Sequence, residues 1–256
     1  MQLIEEYLQQ QSWRNWEQYL DKLPLQAQDR VLDLGCSVGA VSDLFAERAA
    51  QVWGIDLNPE FIAYCQAKQQ TNQAFLCSDF AALKLQDFKD FNGVWASFSI
   101  SYSPDPLQFL SALYRHLAPQ GWIALLDIAC FISGNMSEKS RYYAQVKAFE
   151  LNSASAGFYD FNFGTKMESL LRQAGFQILL TDTERQDLEL NFVGPARADV
   201  LACWQARLQR LPRLKAELGN AYPDFCNEFL DHLQSPEHDS RQTLILTIGK
   251  KEQCSA

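Results

Sequence analysis

Basic residues are scarce in this chain: 22 Lys and Arg stand against 31 Asp and Glu in 256 residues, a net charge of −9. Phosphate backbones and anionic bilayers are bound through clustered Lys and Arg, so this balance argues against nucleic acid or a membrane surface as a general partner. Histidine is scarcer still, and His116, His232 and His238 are scattered in a way that suggests no metal site. Cysteine occurs seven times, an odd count without a CxxC pair. Most of these cysteines lie among apolar residues, so a reduced, cytoplasmic setting is expected rather than a disulfide framework. No apolar run reaches the roughly 20 residues of a membrane span. Residues 1–6 lack the basic start and apolar core of a secretory leader, so none is expected. Flexible linkers, low-complexity tracts and internal repeats are missing too, and one domain over residues 1–256 is expected.

What is present is a large apolar fraction, 47%, arranged in alternating periods. Residues 2–23 read as helix, with Trp13, Trp16, Tyr19, Leu20 and Leu23 at helical spacing before Pro24. Strand-like runs follow at 30–34, 51–55, 73–78, 92–98 and 121–128, with helical stretches between them. That alternation predicts a parallel, doubly wound α/β sheet. Asn58-Pro59 and Asp105-Pro106 are helix starts, a capping residue followed by proline. Thr165-Lys166-Met167-Glu168 has capping-box spacing, and Gly175 suits the end of that helix. Residues 176–183 and 244–248 read as the last strands, and helical pieces are expected near 137–151 and over 194–236, the latter with a stripe of Val200, Leu201, Trp204, Leu208 and Leu211. Residues 1–24 are thus N-terminal helix, and 130–164 and 194–236 are expected to be insertions near the active face.

The most informative stretch is Asp33-Leu34-Gly35-Cys36-Ser37-Val38-Gly39, which follows a strand and opens into a helix. Asp56 ends the next strand at about the 20-residue spacing a nucleotide site needs. A glycine turn lets a ligand approach the backbone, and the acid can grip a ribose, so a nucleoside-containing cofactor is expected. The third strand ends in Ser78-Asp79-Phe80, where a carboxylate can accept from an adenine amine and a ring can lie against the base. The fourth runs into Ser97-Phe98, and Leu117-Ala118-Pro119-Gln120-Gly121 leads into the fifth. Taken singly, the glycines suit a turn in any doubly wound fold, and Asp56 and Asp79 suit helix caps.

In order, spacing and residue type, residues 28–185 resemble the class I S-adenosylmethionine-dependent methyltransferases. The resemblance implies a Rossmann-like sheet of seven strands with the last antiparallel, capped by the helical insertions. It implies S-adenosyl-L-methionine as cofactor and S-adenosyl-L-homocysteine as product. Gly35, Cys36, Ser37 and Gly39 would line the methionine part, Asp56 with Leu57 the ribose, and Ser78, Asp79 and Phe80 the adenine. Ser97 would face the methionine end, with Phe98, Tyr102 and Trp16 on the substrate side. Arg14-Asn15-Trp16-Glu17, Tyr159-Asp160-Phe161-Asn162-Phe163-Gly164 and Phe192-Val193-Gly194-Pro195-Ala196 look like segments of a bacterial subgroup of these enzymes. Two departures stand out: Ser37 and Gln120 occupy positions where the family usually has glycine.

Methyl transfer from a sulfonium needs positioning first, and a general base only when the nucleophile carries a proton. Asp160 and Asp127 are the carboxylate candidates for that base, or for orienting a cationic acceptor. No Asn-Pro-Pro-aromatic motif follows the fourth strand and no Pro-Cys pair occurs, which speaks against amino methylation of a nucleobase and against cytosine carbon methylation. A small-molecule acceptor with an N, O or S nucleophile is expected. An NAD-type oxidoreductase and a non-catalytic cofactor-binding protein are the alternatives.

Overall fold

The computed structural model describes residues 3–79, 82–88, 90–184 and 187–253. Seven strands form one sheet: β1 (Arg30–Leu34), β2 (Gln51–Asp56), β3 (Gln73–Cys77), β4 (Gly93–Ser97), β5 (Trp122–Ala129), β6 (Gln177–Glu184) and β7 (Thr243–Lys250), in the order β3-β2-β1-β4-β5-β7-β6. β1 pairs in parallel with β2 and β4, as do β2 with β3 and β4 with β5, while β7 runs antiparallel to β5. The doubly wound sheet with an antiparallel last strand is therefore present. The helices are α1 (Leu3–Trp13), α2 (Trp16–Leu20), α3 (Ala40–Ala46), α4 (Pro59–Lys68), α5 (Pro106–His116), α6 (Tyr143–Ser155), α7 (Met167–Ala174), α8 (Ala198–Gln209), α9 (Pro212–Leu218) and α10 (Tyr222–Leu233). None is long and apolar enough to cross a membrane among the described residues.

The chain divides into two compact units. The first, Met1–Asp127 with Lys166–Asp182 and Ile245–Ala256, contains most of the sheet. Every residue of β5 is buried, the mark of a strand covered on both faces. Phe45 of α3 packs on Trp95 and Trp122 at 6.1 and 6.2 Å, and Trp16 meets Trp95 edge-on at 6.3 Å. At the amino ends of the strands, Asp29 accepts from the Trp122 indole (2.9 Å) and the Asn92 amide (2.6 Å). These bonds satisfy polar atoms whose burial would otherwise cost about 1–3 kcal/mol each. The second unit, Ile128–Thr165 with Thr183–Leu244, is mainly helical. Its core is built on Trp204, fully buried and donating to the Glu189 carbonyl at 3.1 Å, with Phe131 and Phe229 each at 5.3 Å.

Local signals that name their own partner are borne out. Asn58 accepts from the Glu60 amide, Asp105 from the Gln108 amide, and Gly175 closes α7 at φ 105°. Four expectations are corrected. The helix over 2–23 breaks at Asn15, whose φ −81°, ψ 79° is a turn conformation, and asparagine competes with helix through its own side chain. No α-helix lies between β3 and β4 among the described residues, where Leu85–Asp87 form a 3-10 turn. The capping box does not form: Thr165 donates to the Asn162 carbonyl, and Glu168 turns to Arg172 and Thr181. The helix placed near 137–151 starts only at Tyr143, because Ser137 and Ser140 accept from Lys139 and Tyr142 in turns. None of the six described cysteines is in a disulfide, and Cys254 lies outside the described residues.

His238 is 1% exposed in the second unit, 4.5 Å from Phe192 and 5.2 Å from the His232 ring, and its ring nitrogens meet no partner among the described residues. Burial, and then the neighbouring His232, lower its pKa from 6.5 to about 4. The unfolded chain takes up the proton first, so the stability tied to neutral His238 is present above about pH 6.5 and lost as pH falls toward 4. Urea titrations should show His238→Leu losing about 3 kcal/mol less stability than the parent between pH 6.5 and 4.

Candidate functional site

Parallel pairing aligns the carboxyl ends of the strands. Leu34 stands opposite Ile55 and Ala96, Asp56 opposite Cys77, and Ser97 opposite Leu126. The segments that follow therefore emerge along one edge, where open α/β sheets bind their ligands. The loop after β1 is anchored there, because the Gly35 and Cys36 amides both donate to the Ile55 carbonyl, at 2.7 and 3.0 Å. Gly35 and Gly39 both have φ 78°. A Cβ on Gly35 would lie 2.4 Å from Ser99 Cβ, and one on Gly39 2.9 Å from Cys65 Sγ, so space as well as φ requires glycine at both.

Ser37 stands between them at φ 52°. That conformation costs an L-residue about 1–2 kcal/mol. Its amide donates to Asp56 Oδ2 at 2.8 Å, and its carbonyl accepts from Cys65 Sγ at 3.3 Å. Its hydroxyl, buried, meets no hydrogen-bond partner among the described residues. The other oxygen of Asp56, Oδ1, accepts from the Asn58 amide at 2.8 Å. Asp56 thus bridges the glycine loop and the start of α4. Burial raises its pKa, opposed by the amides of Asn58, Ser37 and Leu57. Leu57 beside it is 67% exposed, an apolar side chain at the rim.

The remaining candidates fall into two groups. Ser78 donates its amide to the Asp56 carbonyl (3.0 Å) and its hydroxyl to the Asp79 carbonyl (3.1 Å), which joins them to the loop edge with Asp79 exposed. Ser97 ends β4, and Phe98 follows at φ 53°, its amide donating to the Leu126 carbonyl at 2.9 Å, next to the buried Asp127. Tyr102 is 65% exposed in the turn after β4, whereas Trp16 is buried against Trp95. Phe80 lies outside the described residues. Asp160 belongs to the second unit, where its Oδ1 accepts from the Asn162 amide at 3.0 Å in a tight turn. Among the described residues no group of three His, Cys, Asp or Glu side chains could hold a metal ion.

Three residues of this edge were not legible in sequence. Ser99 donates its hydroxyl to the Leu34 carbonyl at 2.7 Å and so ties the end of β4 to the loop. Cys65 supports Ser37 from α4. The Arg14 guanidinium lies 4.9 Å over the Phe98 ring and 5.7 Å over Trp16. Each is a contact between distant segments with no spacing signal to reveal it.

A Rossmann-like sheet whose strand ends carry a left-handed glycine loop and a braced acid defines a nucleoside-cofactor domain of the methyltransferase type. Residues 32–125 match the family model described as a methyltransferase domain. Together with the relatives below, this match supports a class I S-adenosylmethionine-dependent methyltransferase. It is 22% identical over 217 residues to phosphoethanolamine N-methyltransferase 1 of Triticum aestivum, covering 80% of this chain and 43% of that protein. It is 32% identical over 108 residues to a malonyl-[acyl-carrier protein] O-methyltransferase of Pseudescherichia vulneris, covering 42% and 41%. The chain thus spans about two-fifths of the length of these relatives. In fold it is similar to a candidate methyltransferase of Bacillus halodurans C-125, with a TM-score of 0.63, 17% identity, and coverage of 93% of this chain and 99% of that one.

Asp33, which opens the loop segment, is 1% exposed and accepts from the Ser42 hydroxyl at 2.5 Å. Burial raises its pKa to about 7, against the Ser42 bond, with the charges of Asp56 and Asp43 adding to the rise. The folded value exceeds the unfolded 3.8, so the stability linked to protonated Asp33 is full below about pH 4 and lost as pH rises through 7. Asn keeps an acceptor for Ser42 without the charge. Asp33→Asn should therefore gain about 4 kcal/mol over the parent at pH 8 and little at pH 4, read by urea unfolding at both.

Proposed function

We propose that the chain transfers a methyl group from S-adenosyl-L-methionine to a small-molecule acceptor through an N, O or S nucleophile, releasing S-adenosyl-L-homocysteine. The observation that carries this reading is the Asp56 carboxylate, fixed at 2.8 Å by the Ser37 amide on one oxygen and at 2.8 Å by the Asn58 amide on the other, at the edge of the glycine loop. The residues fit the cofactor. The loop offers backbone at left-handed positions and a buried hydroxyl that meets no partner among the described residues, and Leu57 and Ser78 flank the acid. Bound there, the cofactor supplies a methyl group already activated on a sulfonium. Residues 35–39 would line its amino-acid part, Asp56 would accept from the ribose hydroxyls with Leu57 against the sugar, and Ser78 and Asp79 would hold the adenine. Ser97 faces the methionine end, and Phe98, Tyr102 and Trp16 shape the acceptor side.

Orientation of the acceptor in line with the leaving sulfur supplies much of the rate, since well-oriented bound reactants gain about 7–11 kcal/mol. Asp127 and Asp160 are the groups we assign to orient the acceptor or take its proton. We further infer one methyltransferase domain in which 130–164 and 194–236 are insertions. Connectivity supports it: the first insertion departs from the carboxyl end of β5, and parallel-sheet ligand sites lie at carboxyl ends. The net charge of −9 supports a small molecule over nucleic acid, and cysteines outside disulfides suit a cytoplasmic setting.

Calorimetry should find S-adenosyl-L-homocysteine bound and NAD not. Asp56→Ala should weaken the former at least tenfold, the scale of about 1.4 kcal/mol for lost hydrogen bonds to a charged group. Binding of NAD alone would overturn the reading. Donor binding with no methyl transfer to any pool of small amines, acids, phenols or thiols would make the protein a cofactor binder.

A further inference from the structure

Ser37 holds two unfavourable features in one residue: a left-handed backbone without glycine, and a buried hydroxyl with no partner among the described residues. Glycine would remove both. The two glycines beside it are sterically required, but at 37 the fold asks only for the backbone angle, which glycine meets without strain. Strain of this kind persists where the surroundings over-determine it, and here they do. The Ser37 amide is held by Asp56 at 2.8 Å and its carbonyl by Cys65 at 3.3 Å, while the loop on its amino side is pinned to Ile55 at 2.7 and 3.0 Å.

We propose that, within the loop assigned above to the amino-acid part of the cofactor, the Ser37 side chain turns instead toward Asp56 and its hydroxyl hydrogen-bonds a ribose hydroxyl, making Ser37 an affinity-determining residue that exchanges loop stability for ligand binding. The inference rests on the cofactor reading above. The ribose is singled out because Ser37 and Asp56 are joined directly, so the hydroxyl and the carboxylate belong to one wall of the site. Serine has a single side-chain torsion, so a rotamer change delivers the hydroxyl to the ligand while the three backbone anchors stay in place. A hydroxyl both donates and accepts, and it can thus pair with a sugar hydroxyl whose proton is given to Asp56.

The test is S-adenosyl-L-homocysteine affinity by calorimetry together with the thermal midpoint, for the parent, Ser37→Gly and Ser37→Ala. Ser37→Gly should melt several degrees higher yet bind 5–20-fold more weakly. Ser37→Ala, which loses the hydroxyl but keeps the strained backbone, should lose the same affinity with a smaller gain in midpoint. Repeating the measurement with 2′-deoxy and 3′-deoxy S-adenosyl-L-homocysteine identifies the bond, because the parent's advantage should vanish on one of them. Ser37→Gly binding as tightly as the parent would overturn the proposal, since a merely structural serine predicts that result. A deficit that persists on both deoxy ligands would overturn the ribose assignment. A parent that does not bind S-adenosyl-L-homocysteine would instead remove the cofactor reading itself.

Discussion

The parallel pairing of β1 between β2 and β4 is the constraint on which the rest depends. It sets Leu34 beside Ile55 and Ala96, so the turns that leave those strands begin at one level. The Ile55 carbonyl then receives two amides of the loop, and the Leu34 carbonyl receives the Ser99 hydroxyl from beyond β4. A strand paired one residue out of place would move Asp56 to the other face of the sheet and leave the Ser37 amide without its carboxylate. The same pairing buries Val31, Leu32, Leu34 and Val94 completely, so apolar burial and site geometry enforce the same register.

Glycine at the loop answers two separate demands. At 35 and 39 there is no volume for a side chain, because Ser99 and Cys65 occupy it. At 37 and 120 only the torsion is unusual, and Ser37 and Gln120 accept φ 52° and 64°. The two departures from the family pattern thus sit where glycine is a preference rather than a necessity. Gly54 belongs with the first kind, since a Cβ there would lie 2.4 Å from the Phe75 ring. Buried carboxyls add an electrostatic layer: Asp33 and Asp56 both have raised pKa values, with burial the largest cause for each. A cationic ligand beside them would relieve that cost.

Features carried by neighbours in the chain were legible. Asn58 and Asp105 cap their helices because the amide each accepts from lies two or three residues on. The glycine turn and the strand-ending acid could be paired by spacing, and the pairing is present as the Ser37–Asp56 bond. Features decided by competition were not. Thr165 had two acceptable partners and took the Asn162 carbonyl, and Ser137 and Ser140 took local amides that ended the expected helix. The stripe on α8 was right for Val200, Trp204 and Leu208, which are buried, while Leu201 and Leu211 are half-buried.

By itself the sequence determined the doubly wound sheet and the acids that end its second and third strands, because periodicity and caps act over a few residues. Only the tertiary structure decided that Ser99 and Cys65 leave no room at Gly35 and Gly39, that Asp33 is buried deeply enough to hold its proton near neutrality, and that the Ser37 hydroxyl meets no partner among the described residues. Those properties come from atoms far apart in the chain whose positions are fixed once the strands have paired.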